Sequence, residues 1–172
     1  MTNPEPICPA PDSPFELELT GRLDLDFVDR LWLAPRGAIL IRIASDGGNA
    51  ACARHIACDI ERAKHFQCHI SHAESAAAIV ALACYRREMA ADGVLRLHLG
   101  NIEVQGRHLL EGDCWERQAL DFVDFVQWQL GWLEGRFPLL AAAPEMAGLK
   151  ETNWAAIDAP RAMELGLIHA IA

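Results

Sequence analysis

A serine, a histidine and a glycine pair define the chemistry open to this chain. Ser75 stands in Ala73-Glu74-Ser75-Ala76, where a short β-like segment runs into the wholly apolar stretch 76–84. His98 closes Val94-Leu95-Arg96-Leu97-His98, a second short strand pattern. Upstream, the buried-strand pattern of residues 39–44 leads through Ser45-Asp46 into Gly47-Gly48. A hydroxyl at a strand-to-helix turn, an imidazole at a strand end and glycine N–H groups are the parts of a nucleophilic acyl-transfer site. At the head of a helix starting at Ala76, unpaired amides favour a developing oxyanion. The N–H of Ala76 would be one oxyanion donor and that of Gly48 the other, since glycine lets backbone approach a carbonyl closely. Each part also has a plainer use. Ser75 could simply cap a buried helix, His98 could be a core or rim histidine, and the glycines could be a tight strand exit.

Other chemistries have less support. His65, His69 and His72 look metal-like by spacing, but His65 ends a helix pattern while His69 and His72 fall on opposite faces of a strand, so no metal is expected. There is no G-x-x-x-x-G-K-S/T to cradle phosphate, and no cofactor is implied. A net charge of −9 with no basic stripe opposes a nucleic-acid partner. No apolar run reaches the roughly 18 residues of a membrane span. The start of the chain lacks a basic, apolar secretory pattern, so a cytoplasmic protein is expected. The six cysteines, Cys8, Cys52, Cys58, Cys68, Cys84 and Cys114, contain no C-x-x-C, and several lie in apolar segments. They read as small hydrophobes rather than a disulfide framework.

The elements that must hold these residues follow from periodicity. Residues 1–14 contain five prolines and are expected to form a flexible arm; 15–172 is expected to be a single domain. Residues 15–20 alternate as a strand. Asp24 caps a helix carrying Phe27, Val28, Leu31 and Trp32, closed by Pro35. Residues 39–44 form the next strand, and Asn49 caps a helix with Ala53, Ile56, Ala57 and Ile60 at a 3.6-residue rhythm. Residues 67–71, 87–90 and 94–98 complete the strands, with a helix over 76–84. This βαβ alternation predicts an α/β fold with parallel strands and chemistry at the strand ends. Residues 113–134 predict a long helix with Asp113 and Glu116 at capping-box spacing. One apolar stripe runs through Trp115, Ala119, Phe122, Val126, Leu130 and Leu133, and a second through Phe125, Trp128 and Trp132. A helix apolar on two sides needs covering twice, which points to a neighbouring subunit.

Taken in order, these pieces resemble the Clp protease proteolytic subunit (ClpP) and its shorter, phage-type relatives within the ClpP/crotonase-like fold. Leu17-Glu18-Leu19-Thr20-Gly21 and Ile41-Arg42-Ile43-Ala44-Ser45-Asp46-Gly47-Gly48 are similar to that family's strand and Ser-Pro-Gly-Gly turn. Ala73-Glu74-Ser75-Ala76 is similar to its nucleophile turn, and Leu95-Arg96-Leu97-His98 to its Met-Ile-His. The stretch 158–168 is similar to its closing Ser-Ala-Glu-Glu-Ala…Gly-Leu-Ile-Asp. The resemblance covers roughly residues 15 to 172. It implies stacked βαβ units with a protruding handle helix, Ser75 as nucleophile, His98 as general base and then acid, and Gly48 with Ala76 as oxyanion donors. It also makes 113–134 the handle through which a homo-oligomer assembles, and implies an unfoldase ATPase partner. The function so implied is a serine-type endopeptidase acting on peptides or unfolded protein.

The chain departs from that pattern in several places. Counting back from Gly166 without gaps puts Trp154 where the family has its third triad member, an aspartate. Glu151 serves if the loop slips by a few residues; Asn153 or Asp158 are the alternatives. Asp46 replaces a proline, Glu74 an alanine, and Leu99-Gly100 a Gln-Pro. Two added carboxylates beside the oxyanion site oppose an anionic intermediate. These changes leave two rivals open: a catalytically inactive homologue serving as an assembly or regulatory subunit, and a crotonase-type acyl-CoA enzyme in which Glu74 is the acid/base.

Overall fold

The computed structural model describes residues 14–35, 37–99 and 113–172, with side chains from residue 120 onward in the last segment. Residues 1–13 of the expected arm, and the 113/116 capping box, lie outside the described side chains. Among the described residues the chain is an α/β protein with one mixed sheet of six strands and seven helices.

The elements run β1 (Phe15–Leu23), α1 (Leu25–Trp32), β2 (Ile39–Gly48), α2 (Ala50–Ala63), β3 (Phe66–Glu74), α3 (Ala76–Ala83) and β4 (Arg86–Leu97). After them come α4 (Asp113–Arg136), α5 (Pro138–Ala141), α6 (Pro144–Thr152), β5 (Ala155–Asp158), α7 (Ala159–Glu164) and β6 (Ala170–Ile171). Strands β1 to β4 are parallel neighbours in chain order, as the βαβ alternation predicts. Strand β5 then runs antiparallel to β4, and β6 runs parallel to it on the same edge.

Two helix starts follow the expected caps. The Asp24 carboxylate accepts from the Phe27 N–H at 3.1 Å and the Asn49 side chain from Cys52 N–H at 3.1 Å. Helix α2 buries Ala53, Ile56, Ala57 and Ile60, the face its rhythm predicts. Every residue of α3 is buried, so it has no solvent face and is packed between α2 and the sheet.

Three features differ from expectation. Residues 87–90 and 94–98 are not two strands but parts of the single strand β4. Between the pairs Ile70–Met89 and His72–Val94, β3 advances two residues while β4 advances five, so Ala90 to Gly93 bulge out of the ladder. Gly93 sits where the chain folds onto itself: an added Cβ would lie 2.8 Å from the Ala90 carbonyl oxygen and 3.0 Å from that of Ile70. Second, Cys68 and Cys84 are joined by a disulfide, whereas Cys52 and Cys58 are free thiols. Cys68 pairs with Arg87 in the β3–β4 ladder, which brings it beside the residue that ends α3. Third, β2 does not stop at Ala44. It continues to Gly48, with Gly47 opposite Arg22 and Gly48 opposite Leu23 of β1.

The buried face of α4 is centred on Phe125, Gln129 and Leu133. Trp128, Leu130 and Trp132 flank it and pack on the same core. Leu120 and Val123 point outward, 70% and 49% exposed.

Candidate functional site

Ser75 is the single residue between the end of β3 and the start of α3. So abrupt a turn forces its backbone to φ 57°, ψ −123°, a positive-φ conformation that a residue with a Cβ rarely adopts. The turn is held by the Ser75 N–H, which donates to the Arg96 carbonyl at 2.9 Å. The Ser75 carbonyl accepts from the Ala78 N–H at 3.1 Å. The plainer reading of Ser75 as an N-cap is not what is observed: its side chain makes no capping hydrogen bond. The hydroxyl is carried on a strained backbone without being used to start the helix. Ala76 then supplies the first helical N–H, one of those that helix geometry leaves without an intrahelical partner.

Gly47 is fitted against this serine, and Gly48 against the end of β1. Gly47 has φ 100°, and an added Cβ would lie 2.6 Å from Ser75 Cβ and 2.7 Å from the Glu74 carbonyl oxygen. Gly48 has φ 153°, and a side chain there would meet Leu23 backbone at 2.3 Å. Buried Ser45 builds the turn, donating to the Gly21 carbonyl and accepting from the Gly47 N–H at 3.1 Å. The Gly47 N–H is thus committed, and Gly48 is the glycine that lines the cleft.

That cleft holds about 620 Å³ and is lined by Gly48, Ser75 and His98 together with Arg54, Asp124 and Phe125 from α2 and α4. The fold therefore brings the expected nucleophile, base and one oxyanion donor to one cavity. Among the described residues, no hydrogen bond joins Ser75 Oγ to the His98 ring. Arg54 pairs with Asp124 at 2.7 Å across the cleft and stacks over Trp128.

His98 follows directly on β4 and is half-buried. Its backbone carbonyl accepts from Gln129 Nε2 at 3.0 Å, a bond from the buried face of α4. Its ring lies against the Trp154 indole, centroids 4.7 Å apart. Its Nδ1 is buried and has no hydrogen-bond partner among the described residues. Burial pushes the imidazole below the usual value of 6.5, and the negative charge of Glu74 partly offsets that.

The register of β5 explains what stands beside the imidazole. Ala155 pairs with Leu97, so Trp154, one step further, falls next to His98. Asp158 pairs with Val94, four residues before His98, roughly 13 Å along the ladder at about 3.3 Å per residue. Its carboxylate caps α7 by accepting from the Arg161 N–H at 2.9 Å. Asn153, the αL residue ending α6, accepts from the Leu99 N–H at 2.7 Å through its side-chain oxygen, fixing the backbone beyond His98. Glu151 is exposed on α6.

One contributor was not visible as such in the sequence. Gln129 is a polar residue between two apolar stripes, and only its burial reveals it as an anchor. Gly47 is as tightly built in as Gly48. Glu74 acts on His98 through space, while its carboxylate pairs with Arg96 at 3.2 Å and stands 3.9 Å from His72 Nε2.

No protein-family model matches this chain, and neither does any curated protein.

Proposed function

We propose that this chain is a ClpP-like serine peptidase of the ClpP/crotonase fold, cleaving peptides or unfolded protein through an acyl-enzyme. The observation that carries the reading is the backbone of Ser75: a non-glycine residue at φ 57°, its hydroxyl unused as a cap, lining one cleft with His98. Strain of this kind costs on the order of 1–3 kcal/mol and persists where a site requires it. In the mechanism, the neutral His98 ring takes the Ser75 proton as Oγ attacks a peptide carbonyl. The oxyanion is received by the N–H groups of Gly48 and Ala76, each such donor being worth about 3 kcal/mol of barrier. His98 then protonates the leaving amine, and water resolves the ester by the reverse proton path. Assembly through α4 into a homo-oligomer, an unfoldase ATPase partner and a cytoplasmic setting belong to the same proposal, the ATPase through the resemblance alone.

The test is a fluorophosphonate probe on the purified protein. Wild type should label and Ser75→Ala should not, with thermal stability nearly unchanged. Absence of labelling in the folded wild type would sink the peptidase reading.

A second reading has its own support. Among the described residues His98 Nδ1 has no partner, and an indole stands where the resemblance calls for an aspartate. Without an orienting carboxylate, neither the tautomer nor the cation of the base is stabilised. An inactive homologue acting as an assembly or regulatory subunit fits those facts, and unlabelled protein that still self-associates would favour it. The acyl-CoA reading would use Glu74 as acid/base, but Glu74 is paired with Arg96; calorimetry with an acyl-CoA decides it.

A further inference from the structure

We propose that Asp46, His72 and Glu74 form a binding site for a single divalent transition-metal cation of the Zn²⁺ type, at the strand ends beside Ser75. The three side chains each offer one ligand atom, and these atoms lie within 4.8 Å of one another. His72 and Glu74 are two residues apart on β3 and so project to the same face of the sheet. Ser45 pairs with Ala73 across the β2–β3 ladder, which puts Asp46 beside Glu74. The donors therefore hang from two hydrogen-bonded strands, whose spacing is fixed by the ladder. Neither His72 nor Glu74 is loosely held, with side chains 26% and 20% exposed, while Asp46 is open to solvent.

The chemistry suits such an ion. One imidazole nitrogen with two carboxylate oxygens is a mixed N/O set of the kind that holds zinc while leaving a further position open. Ligand bonds of 2.0–2.2 Å in tetrahedral geometry require donor atoms roughly 3.4 Å apart. The separations from His72 Nε2, 2.8 Å to Asp46 Oδ1 and 3.9 Å to Glu74 Oε2, bracket that value. Small side-chain rotations bring all three into range. Arg96 is the built-in competitor, its Nη1 standing 3.2 Å from Glu74 Oε2. A cation has to displace that guanidinium from Glu74 and the His72–Asp46 hydrogen bond from its present geometry. His65 and His69, which the sequence spacing groups with His72, take no part among the described residues.

The site does not depend on the peptidase reading, and its test reads metal directly. Full-length protein freed of metal with chelator is titrated with Zn²⁺ by calorimetry and with Co²⁺ by visible absorption. The expected result is one equivalent bound and a Co²⁺ d–d band of low-coordinate intensity. His72→Ala and Asp46→Asn should each weaken Zn²⁺ binding at least tenfold, with circular dichroism unchanged. Arg96→Gln should tighten it severalfold, because Glu74 is then released to the ion. Lack of saturable uptake by wild type would overturn the proposal. So would uptake that survives His72→Ala, since the metal would then sit elsewhere. Failure of fluorophosphonate labelling alongside normal Zn²⁺ binding would remove the peptidase reading and leave the metal site standing.

Discussion

The backbone of Ser75 gives the site a signature that stability measurements can read without any substrate. At φ 57° a side chain is strained, and glycine relieves that strain while costing about 0.5–1 kcal/mol in backbone entropy. Ser75→Gly should therefore be more stable than Ser75→Ala by about 1 kcal/mol in urea unfolding, although both lose the hydroxyl. Equal stability would mean that the turn is not strained in solution. His98 gives the pH dependence. Its folded value is held below 6.5 by burial, so the neutral imidazole survives into mildly acid solution. Its contribution to stability is present above 6.5 and lost as pH falls through the depressed value. Labelling of Ser75 in chelator should rise with pH along a single ionisation whose midpoint is below 6.5. Glu74→Gln removes the charge that favours the imidazolium, so that midpoint should move further toward acid. A shift in the alkaline direction would mean that Glu74 does not act on His98. Ser75, His98 and Gly48 were legible in the sequence because local pattern marks strand ends and helix starts. The neighbour of His98 could be placed only by counting from Gly166, since it depends on which residue of β5 faces Leu97.

At the scale of elements, α4 is tied to the site by one polar bond inside an apolar face. Gln129 is 1% exposed and donates to the His98 carbonyl. Gln129→Met, close in volume, leaves that carbonyl unpaired in a buried setting, at a cost of about 1–2 kcal/mol. The expected outcome is that loss in urea unfolding together with slower labelling of Ser75; unchanged labelling would confine Gln129 to a structural role. A second tie sits at the far end of β4. Buried Arg87 donates to the Cys84 carbonyl at 2.6 Å and lies over Phe137, holding the segments that follow α3 and α4 to the sheet. Burial brings its guanidinium down to about 10, which leaves it charged at neutral pH. Caps at Asp24 and Asn49 were readable from residue type, because a short polar side chain before an apolar rhythm has one obvious use. The single strand β4 was not, because Ala90, Ala91, Asp92 and Gly93 interrupt alternation as a turn does. Only the parallel neighbour β3 turns that interruption into a bulge. The Cys68–Cys84 bond was hidden for a similar reason: sixteen positions apart, the two meet only through strand pairing.

For the whole molecule, the α/β class was legible from the βα alternation alone, whereas the closing strands β5 and β6 were not foreseen. Both are short, of four and two residues, too brief for periodicity to register. None of the described helices is long and apolar enough to cross a membrane. The expected second apolar stripe of α4 is largely spent on the chain's own core, with Phe125 buried and Trp128 and Trp132 packed there. Among the described side chains of α4, Leu120 and Val123 point outward, so the proposed contact between copies would use this part of the helix. Leu120→Asp should lower the sedimentation coefficient of the purified protein while leaving its circular dichroism intact. An unchanged coefficient would remove α4 as the assembly surface.

The indole lying against His98 has a use beyond packing. Imidazolium quenches a touching indole more strongly than neutral imidazole does, so part of the emission of Trp154 should report the charge of that ring. Subtracting the spectrum of Trp154→Phe from that of the parent across a pH series isolates this signal from the other four tryptophans. The molecule thus carries its own optical gauge of proton occupancy, readable before any substrate is known.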